Sequence, residues 1–236
     1  MPELAQRCIK SWRKNCPDYE IVRWDESNFD VNICAFSRNA YESGKYAFVS
    51  DVARLYALYS YGGIYLDTDE EIIKPLDIFT QHRAFAGLED DNYIAFGLFG
   101  AEKGHPWIGL ILNFYLSSDV VFNIDSMDSV TIPRIGTNIT MEKYNWRPNG
   151  LHQVLEDDLH IYPRDYFCAF DTSNGLPNVT VNTYGVHHYS GSWVSLQVRK
   201  REAIVQWMRR TLGDKATERL LKFRKAIKNF VKPKAS

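Results

Sequence analysis

The chain lacks the features of several protein classes. No apolar run approaches the roughly 18 to 20 residues that span a bilayer, and no basic segment followed by an apolar one opens the chain as a signal peptide. The four cysteines, Cys8, Cys16, Cys34 and Cys168, have no metal-type spacing. There is no internal repeat. We therefore expect a cytoplasmic protein whose thiols are reduced and buried or half-buried.

The composition instead allows one full core with an appendage. Of 236 residues, 45% are hydrophobic and 14% aromatic. The net charge of -1 hides a division, because residues 199–236 hold 13 Lys or Arg and 3 acidic residues, whereas residues 1–198 carry a net charge of -11. We predict one main domain over residues 1–198 and a basic tail over residues 199–236.

The most informative motif is Asp67-Thr68-Asp69, which follows the apolar run Gly-Gly-Ile-Tyr-Leu at residues 62–66. The run predicts a short strand buried on both faces, and the two glycines are expected to end a preceding helix. In an extended chain Thr68 points away from its neighbours, so both carboxylates share one side. They are candidate ligands for Mn²⁺ or Mg²⁺. The alternative is a strand end with two solvated acids.

A helix is predicted just upstream, over residues 45–59. Apolar residues there repeat at three and four positions, as in a buried stripe, and Asp51 and Arg54 form a second stripe. The simplest interpretation of that pair is an ion pair worth a few tenths of a kcal/mol. The functional alternative is polar recognition of sugar hydroxyls beside a metal.

Together these segments resemble the donor-site motif of retaining glycosyltransferases of family 32, which includes bacterial capsular-polysaccharide sugar transferases and yeast Golgi mannosyltransferases. Residues 46–54 fit Tyr-Ala-x-x-Ser-Asp-x-x-Arg, and residues 62–69 fit Gly-Gly-x-Tyr-x-Asp-x-Asp. Residues 2–24 and the run His-His-Tyr-Ser-Gly-Ser-Trp at 187–193 also agree with the bacterial members. The resemblance covers roughly residues 2 to 195.

The resemblance implies a GT-A fold, an α/β architecture with a mixed, mostly parallel sheet flanked by helices. Apolar runs at residues 84–88 and 93–99 suit strands, and Pro106 suits the first position of a helix. Family members usually carry a hydrophobic strand before the Pro-Glu-Leu segment, whereas this chain starts at Met1-Pro2-Glu3. The sheet is therefore expected to lack the usual first strand.

The resemblance also implies roles for individual residues. Asp67 and Asp69 would hold Mn²⁺ or Mg²⁺ with a histidine from a C-terminal His-Tyr segment, for which we choose His188, while His187 faces the opposite way. The expected catalytic residues are Asp67, Asp69, Asp51 and Arg54. The expected donor-binding residues are Ser50, Asp51, Arg54, Tyr65, Asp67, Ser192 and Trp193.

The implied reaction transfers a sugar from a nucleotide-diphosphate donor, with a UDP-sugar favoured, to a glycan or lipid-linked glycan in surface polysaccharide synthesis. The family retains anomeric configuration, and we favour same-face substitution. The alternative function is a non-catalytic or weakly active subunit of a polysaccharide-synthesis complex. A phosphatase of the haloacid-dehalogenase type is disfavoured, because Glu71 stands where that motif wants Thr or Val.

The basic tail has its own predictions. Near-helical apolar spacing predicts two short amphipathic helices separated near Gly213. Such helices bind anionic membranes, with about 1 kcal/mol from each nearby Lys or Arg, which would place the enzyme peripherally on the inner face of the membrane. The alternatives are packing on the acidic domain or on a second subunit of a homo-oligomer. No recognition motif supports nucleic-acid binding.

Overall fold

The computed structural model describes residues 1–117, 119–171, 173–191 and 196–231, with backbone alone for residues 196, 199 and 224–231. The helices are α1 (Glu3–Asn15), α2 (Ala35–Glu42), α3 (Tyr46–Tyr61), α4 (Pro106–Leu116), α5 (Ile132–Lys143), α6 (Leu196–Leu212) and α7 (Asp214–Val231). The strands are β1 (Gly63–Leu66), β2 (Glu70–Ile72), β3 (Ala84–Leu88), β4 (Ile94–Ala101), β5 (Gln153–Leu155), β6 (Leu159–Tyr162), β7 (Phe170–Asp171), β8 (Leu176–Pro177) and β9 (Gly185–His187).

The chain divides into two units. The first comprises Met1–Ala169 and Val179–Trp193, and the second comprises Phe170–Asn178 and Val194–Ser236. In the second unit, the two predicted tail helices are present as α6 and α7, and they are separated at Gly213, whose φ is +77°. Among the described residues, no helix combines the length and apolar character that crossing a bilayer requires. A separate tail domain starting at residue 199 stays a prediction.

The first unit is built on a five-stranded sheet in the order β1-β4-β3-β6-β5. It is a mixed sheet with helices on both faces, which is compatible with the expected GT-A fold. The prediction of a mostly parallel sheet is wrong, because β3 and β6 form the one parallel pair and the other three pairs are antiparallel. The physical reason is that the short loop of residues 89–93 turns β4 back beside β3, with no helix between them.

Strand β1 lies at the edge of this sheet. The prediction that it is buried on both faces is wrong, because Gly63 is exposed and the other three residues are only partly buried. β3, β4 and β6 are buried along their whole length. An apolar run therefore marked a strand correctly but did not distinguish an edge strand from a central one.

The two faces of the sheet carry two hydrophobic clusters. On one face, Ala84 and Ala86 of β3 join residues of α2, α3, α4 and α5 in the larger cluster. On the other face, Phe85 and Leu98 pack in a cluster with Cys8 and Trp12 of α1. All four cysteines are buried and unpaired, as expected for reduced core thiols.

A second, small sheet places the motif loop. β2 begins directly after Asp69 and pairs with β9 in antiparallel register, so that Glu70 lies opposite His187. Gly62 follows the last residue of helix α3, and its φ of +75° would be strained for a residue with a side chain. A Cβ added there would lie 2.7 Å from the backbone nitrogen of Lys103. The glycine pair ends the helix as predicted and feeds the chain directly into β1.

Candidate metal and donor site

The loop of residues 67–69 is fixed between the two sheets. Asp67 N donates to Gly97 O of β4 at 2.7 Å, and His188 N donates to Asp69 O at 3.0 Å. One end of the loop is therefore held by the main sheet and the other end by the segment that follows β9. Thr68 between them is exposed.

Three side chains converge at this loop. One ligand atom each from Asp67, Asp69 and His187 lies within 4.8 Å of the other two. His187 Nε2 is 3.4 Å from Asp69 Oδ1, and these two side chains are 18% and 15% exposed. Two carboxylates and one imidazole suit a borderline divalent cation such as Mn²⁺, and the partial exposure leaves room for ligand oxygens on the open side.

The histidine in this cluster is not the one that the sequence favoured. His188 Nε2 lies 2.7 Å from Glu71 Oε2 and 3.2 Å from Arg7 Nη2, whereas His187 faces Asp69. Successive residues of an extended chain alternate sides, and the β2–β9 register turns His187 toward the motif. In the structure His187, rather than the expected His188, lies beside both aspartates, and which histidine binds a cation stays a prediction.

Glu70 is a component of the site that sequence reasoning missed. Its side chain is fully buried, and neither carboxylate oxygen has a hydrogen-bond partner among the described residues. The nearest cationic group is His187, whose Nδ1 is 3.8 Å from Glu70 Oε1. A buried carboxylate without a partner is costly, so its environment favours additional positive charge nearby. The one signal in the sequence was a third acidic residue directly after the Asp-x-Asp motif.

The pKa values reflect this crowding of charge. Burial raises the pKa of Glu70 to about 8, partly opposed by His187 and reinforced by Asp67 and Asp69. Burial would also raise the pKa of Asp69, but the contacts with His187 and Ser190 outweigh burial and lower that pKa. Burial alone would lower the pKa of His187, yet Glu70 and Asp69 hold it well above the ordinary value. A cation must therefore displace a proton from this imidazole.

Arg54 holds the first carboxylate in place. Its Nη1 donates to Asp67 Oδ2 at 3.3 Å and to Phe96 O at 2.7 Å. Its Nη2 contacts Asp51 Oδ1 at 3.1 Å and Ser50 Oγ at 3.0 Å, and its Nε donates to Ser50 O at 3.2 Å. Four of these contacts are hydrogen bonds, and the contact with Asp51 is an ion pair. Arg54 acts as a clamp between α3, the motif and β4.

The predicted pair of Asp51 and Arg54 is a buried ion pair, since the two residues are 7% and 6% exposed. Burial raises the pKa of Asp51 to about 7, opposed by Arg54 and reinforced by Asp67. For Arg54 burial lowers the pKa, but Asp67, Tyr65 and Asp51 reverse that effect and raise it overall. The Arg54 guanidinium therefore forms ion pairs with both Asp51 and Asp67.

Tyr65 completes the clamp. Its hydroxyl donates to Asp67 Oδ1 at 2.7 Å, and the Arg54 guanidinium carbon lies 4.6 Å from the centre of its ring. The structure thus brings together Ser50, Asp51, Arg54, Tyr65 and Asp67 of the expected donor-binding set. Ser192 and Trp193, the other two members, lie outside the described residues.

Comparison with known proteins gives a consistent result. Residues 2–86 match the model of the family described as "Glycosyltransferase sugar-binding region containing DXD motif". Over 114 residues the chain is 36% identical to inositol phosphoceramide mannosyltransferase 3 of Schizosaccharomyces pombe. The matched segment covers 45% of this chain and 32% of that protein. The chain thus spans about a third of that relative's length. No solved structure matches the chain significantly. The region that carries Asp67 and Asp69 is accordingly similar to the sugar-binding region of DXD glycosyltransferases.

Proposed function

We propose that this protein is a metal-dependent glycosyltransferase that moves a sugar from a nucleotide-diphosphate donor to a hydroxyl of a glycan or lipid-linked glycan. The observation that carries the proposal is the convergence of Asp67, Asp69 and His187 within 4.8 Å. The family match and the relative's name both support glycosyl transfer. The donor, the metal and the acceptor are parts of the proposal.

The proposed chemistry follows from where charge develops. Breaking the bond between the anomeric carbon and the diphosphate builds negative charge on the leaving oxygens, and a bound Mn²⁺ or Mg²⁺ supplies Lewis-acid stabilisation of that charge. Asp67, Asp69 and His187 would hold the cation, and Glu70 would orient the imidazole from behind. Arg54 and Tyr65 would keep both oxygens of Asp67 in fixed positions, which reduces the reorganisation needed during the reaction.

Two observations bear on the identity of the donor, and they favour different sugars. The resemblance to bacterial members favours a UDP-sugar. The name of the yeast relative instead favours mannose as the transferred sugar. Both donor classes present the same diphosphate to the cation, so we propose a nucleotide-diphosphate sugar. Titration with UDP and with GDP identifies the base.

The acceptor is proposed to enter beside Glu89, at the end of β3. Burial raises the pKa of this side chain, and the charge of His187 opposes that shift. A cavity of about 280 Å³ adjoins it, with Tyr93 and Arg134 in its lining. Retention of configuration would then follow from attack on the face that the diphosphate leaves, with the departing phosphate taking the acceptor proton.

The deciding experiment is a calorimetric titration of the full chain with UDP and with GDP, each with and without Mn²⁺. Wild type is compared with Asp67→Asn/Asp69→Asn, which keeps the side-chain volume but removes two negative charges. We expect metal-dependent binding of one nucleotide in wild type and its loss in the variant.

Binding should also raise the unfolding temperature of wild type by mass action. A folded wild-type chain that binds neither nucleotide in the presence of Mn²⁺ would contradict the proposal and favour the non-catalytic subunit. Equal binding by wild type and variant would show that nucleotide is held elsewhere.

A further inference from the structure

We propose that His82, Asp158 and His160 form a second divalent-cation site, separate from the Asp67-Thr68-Asp69 loop and selective for zinc-like metals. His82 precedes β3, Asp158 precedes β6, and His160 is within β6. The cluster lies where β3 and β5 flank β6, at the opposite edge of the main sheet from β1.

The distances fit one cation. One ligand atom from each of the three side chains lies within 4.8 Å of the others, and His160 Nε2 is 3.0 Å from Asp158 Oδ1. Ligands at about 2.0 to 2.2 Å from a Zn²⁺ ion lie roughly 3.3 to 3.6 Å apart in tetrahedral geometry. A shift of a few tenths of an ångström would therefore bring His160 and Asp158 to the separation of two ligands of one ion.

The backbone holds Asp158 in this position. Its second oxygen, Oδ2, accepts from Arg83 N at 3.0 Å, which leaves Oδ1 toward His160. Asp157 and Asp158 both have φ of +57°, so two consecutive non-glycine residues adopt the left-handed conformation. That conformation carries a cost of order 1 kcal/mol per residue and persists where its surroundings enforce it.

A further histidine orients the central imidazole. His152 Nε2 lies 3.1 Å from His160 Nδ1. In the cation-free chain His160 Nε2 donates to Asp158 Oδ1. Cation binding would place the proton on Nδ1 instead, where His152 accepts it, and free the lone pair of Nε2 for the cation. Such a contact behind a ligating imidazole is the usual way in which proteins fix the ligating nitrogen.

His82 is the movable member of the cluster. Its ring stacks on that of His160 with centroids 3.5 Å apart and an interplanar angle of 16°. Stacked imidazoles direct their lone pairs in parallel, so cation binding requires the His82 ring to turn. His82 is half-buried in the turn before β3, so its ring has space to turn. That turn would break its contact at 2.8 Å with the Tyr162 hydroxyl.

The set of donor atoms indicates which cation the cluster would take. Two nitrogens and one oxygen favour Zn²⁺ over Mg²⁺.

A cation at this position would tie the turn before β3 to β6. Its expected role is to stabilise the sheet edge, because none of these residues contacts the residues of the first site in the described part of the chain. Occupancy should therefore appear as a change in stability and stoichiometry, independent of sugar transfer.

The test uses the full chain carrying Asp67→Asn/Asp69→Asn, which removes the first site. We expect calorimetric titration with Zn²⁺ to give one equivalent bound per chain, against two in wild type. Titration with Co²⁺ should give the visible absorption of a low-coordinate complex. Adding His82→Gln or Asp158→Asn to this background should weaken Zn²⁺ binding roughly tenfold or more, because each removes a ligand.

His82→Gln is the deciding variant, since His82 is partly exposed and its replacement leaves the core intact, which far-UV circular dichroism checks. His188→Gln is the control for loss of a histidine elsewhere, because its side chain contacts Glu71 and Arg7 and not this cluster, and it should leave the Zn²⁺ affinity unchanged. The proposal is overturned if the background variant binds no Zn²⁺, or if His82→Gln binds it as tightly as the background does.

Discussion

His187 Nε2 lies 3.4 Å from Asp69 Oδ1, so the end of β9 is in contact with the Asp-x-Asp loop. The register of β2 with β9 determines this contact, because Glu70 pairs with His187 and the next residue, His188, turns toward Glu71. The two adjacent histidines therefore have different electrostatic partners, and they can be separated by experiment.

His187→Gln should weaken Mn²⁺ binding roughly tenfold or more, because it removes the imidazole that completes the cluster. His188→Gln is the matched variant and should bind Mn²⁺ as wild type does. Titration of each protein with Mn²⁺ in the presence of the nucleotide that binds gives both affinities. The reverse order of effects would restore the assignment of His188 as the ligand.

Arg54→Lys should lower the free energy of unfolding by about 3 kcal/mol, because a lysine ammonium cannot reach Asp51, Asp67 and the Phe96 carbonyl together. Urea denaturation measures the change. Arg83→Lys is the control, since the ion pair of Arg83 with Glu102 is 46% exposed on both sides and should contribute under about 1 kcal/mol. Equal losses in the two variants would contradict the role of Arg54 as a clamp.

Gly97→Ala should weaken Mn²⁺ binding roughly tenfold or more, equivalent to at least about 1.4 kcal/mol. The added Cβ would lie 2.7 Å from Glu70 Oε1 and 3.2 Å from Asp67 Oδ2, so the carboxylates must move. Gly104→Ala is the comparison, because it meets no atom within 4 Å. Its φ of +74° predicts a loss of stability, with Mn²⁺ affinity unchanged. Titrations of the two variants decide the point.

His105 should contribute a loss of stability as the pH drops below 6.5, which Asp51, Glu70 and His187 oppose because their pKa values are raised in the folded chain. Burial lowers the pKa of His105 from its ordinary value of 6.5, with the Asp157 carbonyl opposing that shift. Its Nδ1 accepts from Trp107 N at the start of α4, a contact that protonation removes. Below 6.5 the unfolded chain binds more protons at His105 than the folded chain does, so this group favours unfolding.

Urea unfolding at about pH 7.5 and about pH 5.5 in EDTA measures this effect. His105→Asn keeps a cap for α4 but cannot titrate. On going from the higher to the lower pH, its free energy of unfolding should therefore change more favourably than that of wild type. The same pH dependence in the two proteins would contradict a contribution from His105.

Local features of the chain were predictable where the sequence itself determines them. The spacing of residues 84–88 predicted β3, Pro106 marked the start of α4, and the glycine pair ended α3. The three-residue spacing of Asp51 and Arg54 predicted their ion pair. In each case the interacting groups are neighbours along the chain, so the pattern contains the necessary information.

Features that depend on distant segments were not predictable in the same way. The edge position of β1 follows from β4 pairing on only one of its sides, which the apolar run at residues 62–66 does not encode. The choice between His187 and His188 depends on a one-residue register with β2. The buried, unpartnered state of Glu70 likewise depends on the way in which β4 and β9 close around it.

Arg54 joins helix α3, the Asp67 carboxylate and the Phe96 carbonyl through one guanidinium. These three segments should therefore open to solvent together, as one cooperative unit. Ligand bound at the loop would slow amide hydrogen exchange in α3 as well as in the loop. At this residue, the geometry of the candidate site and the packing of the core depend on the same side chain.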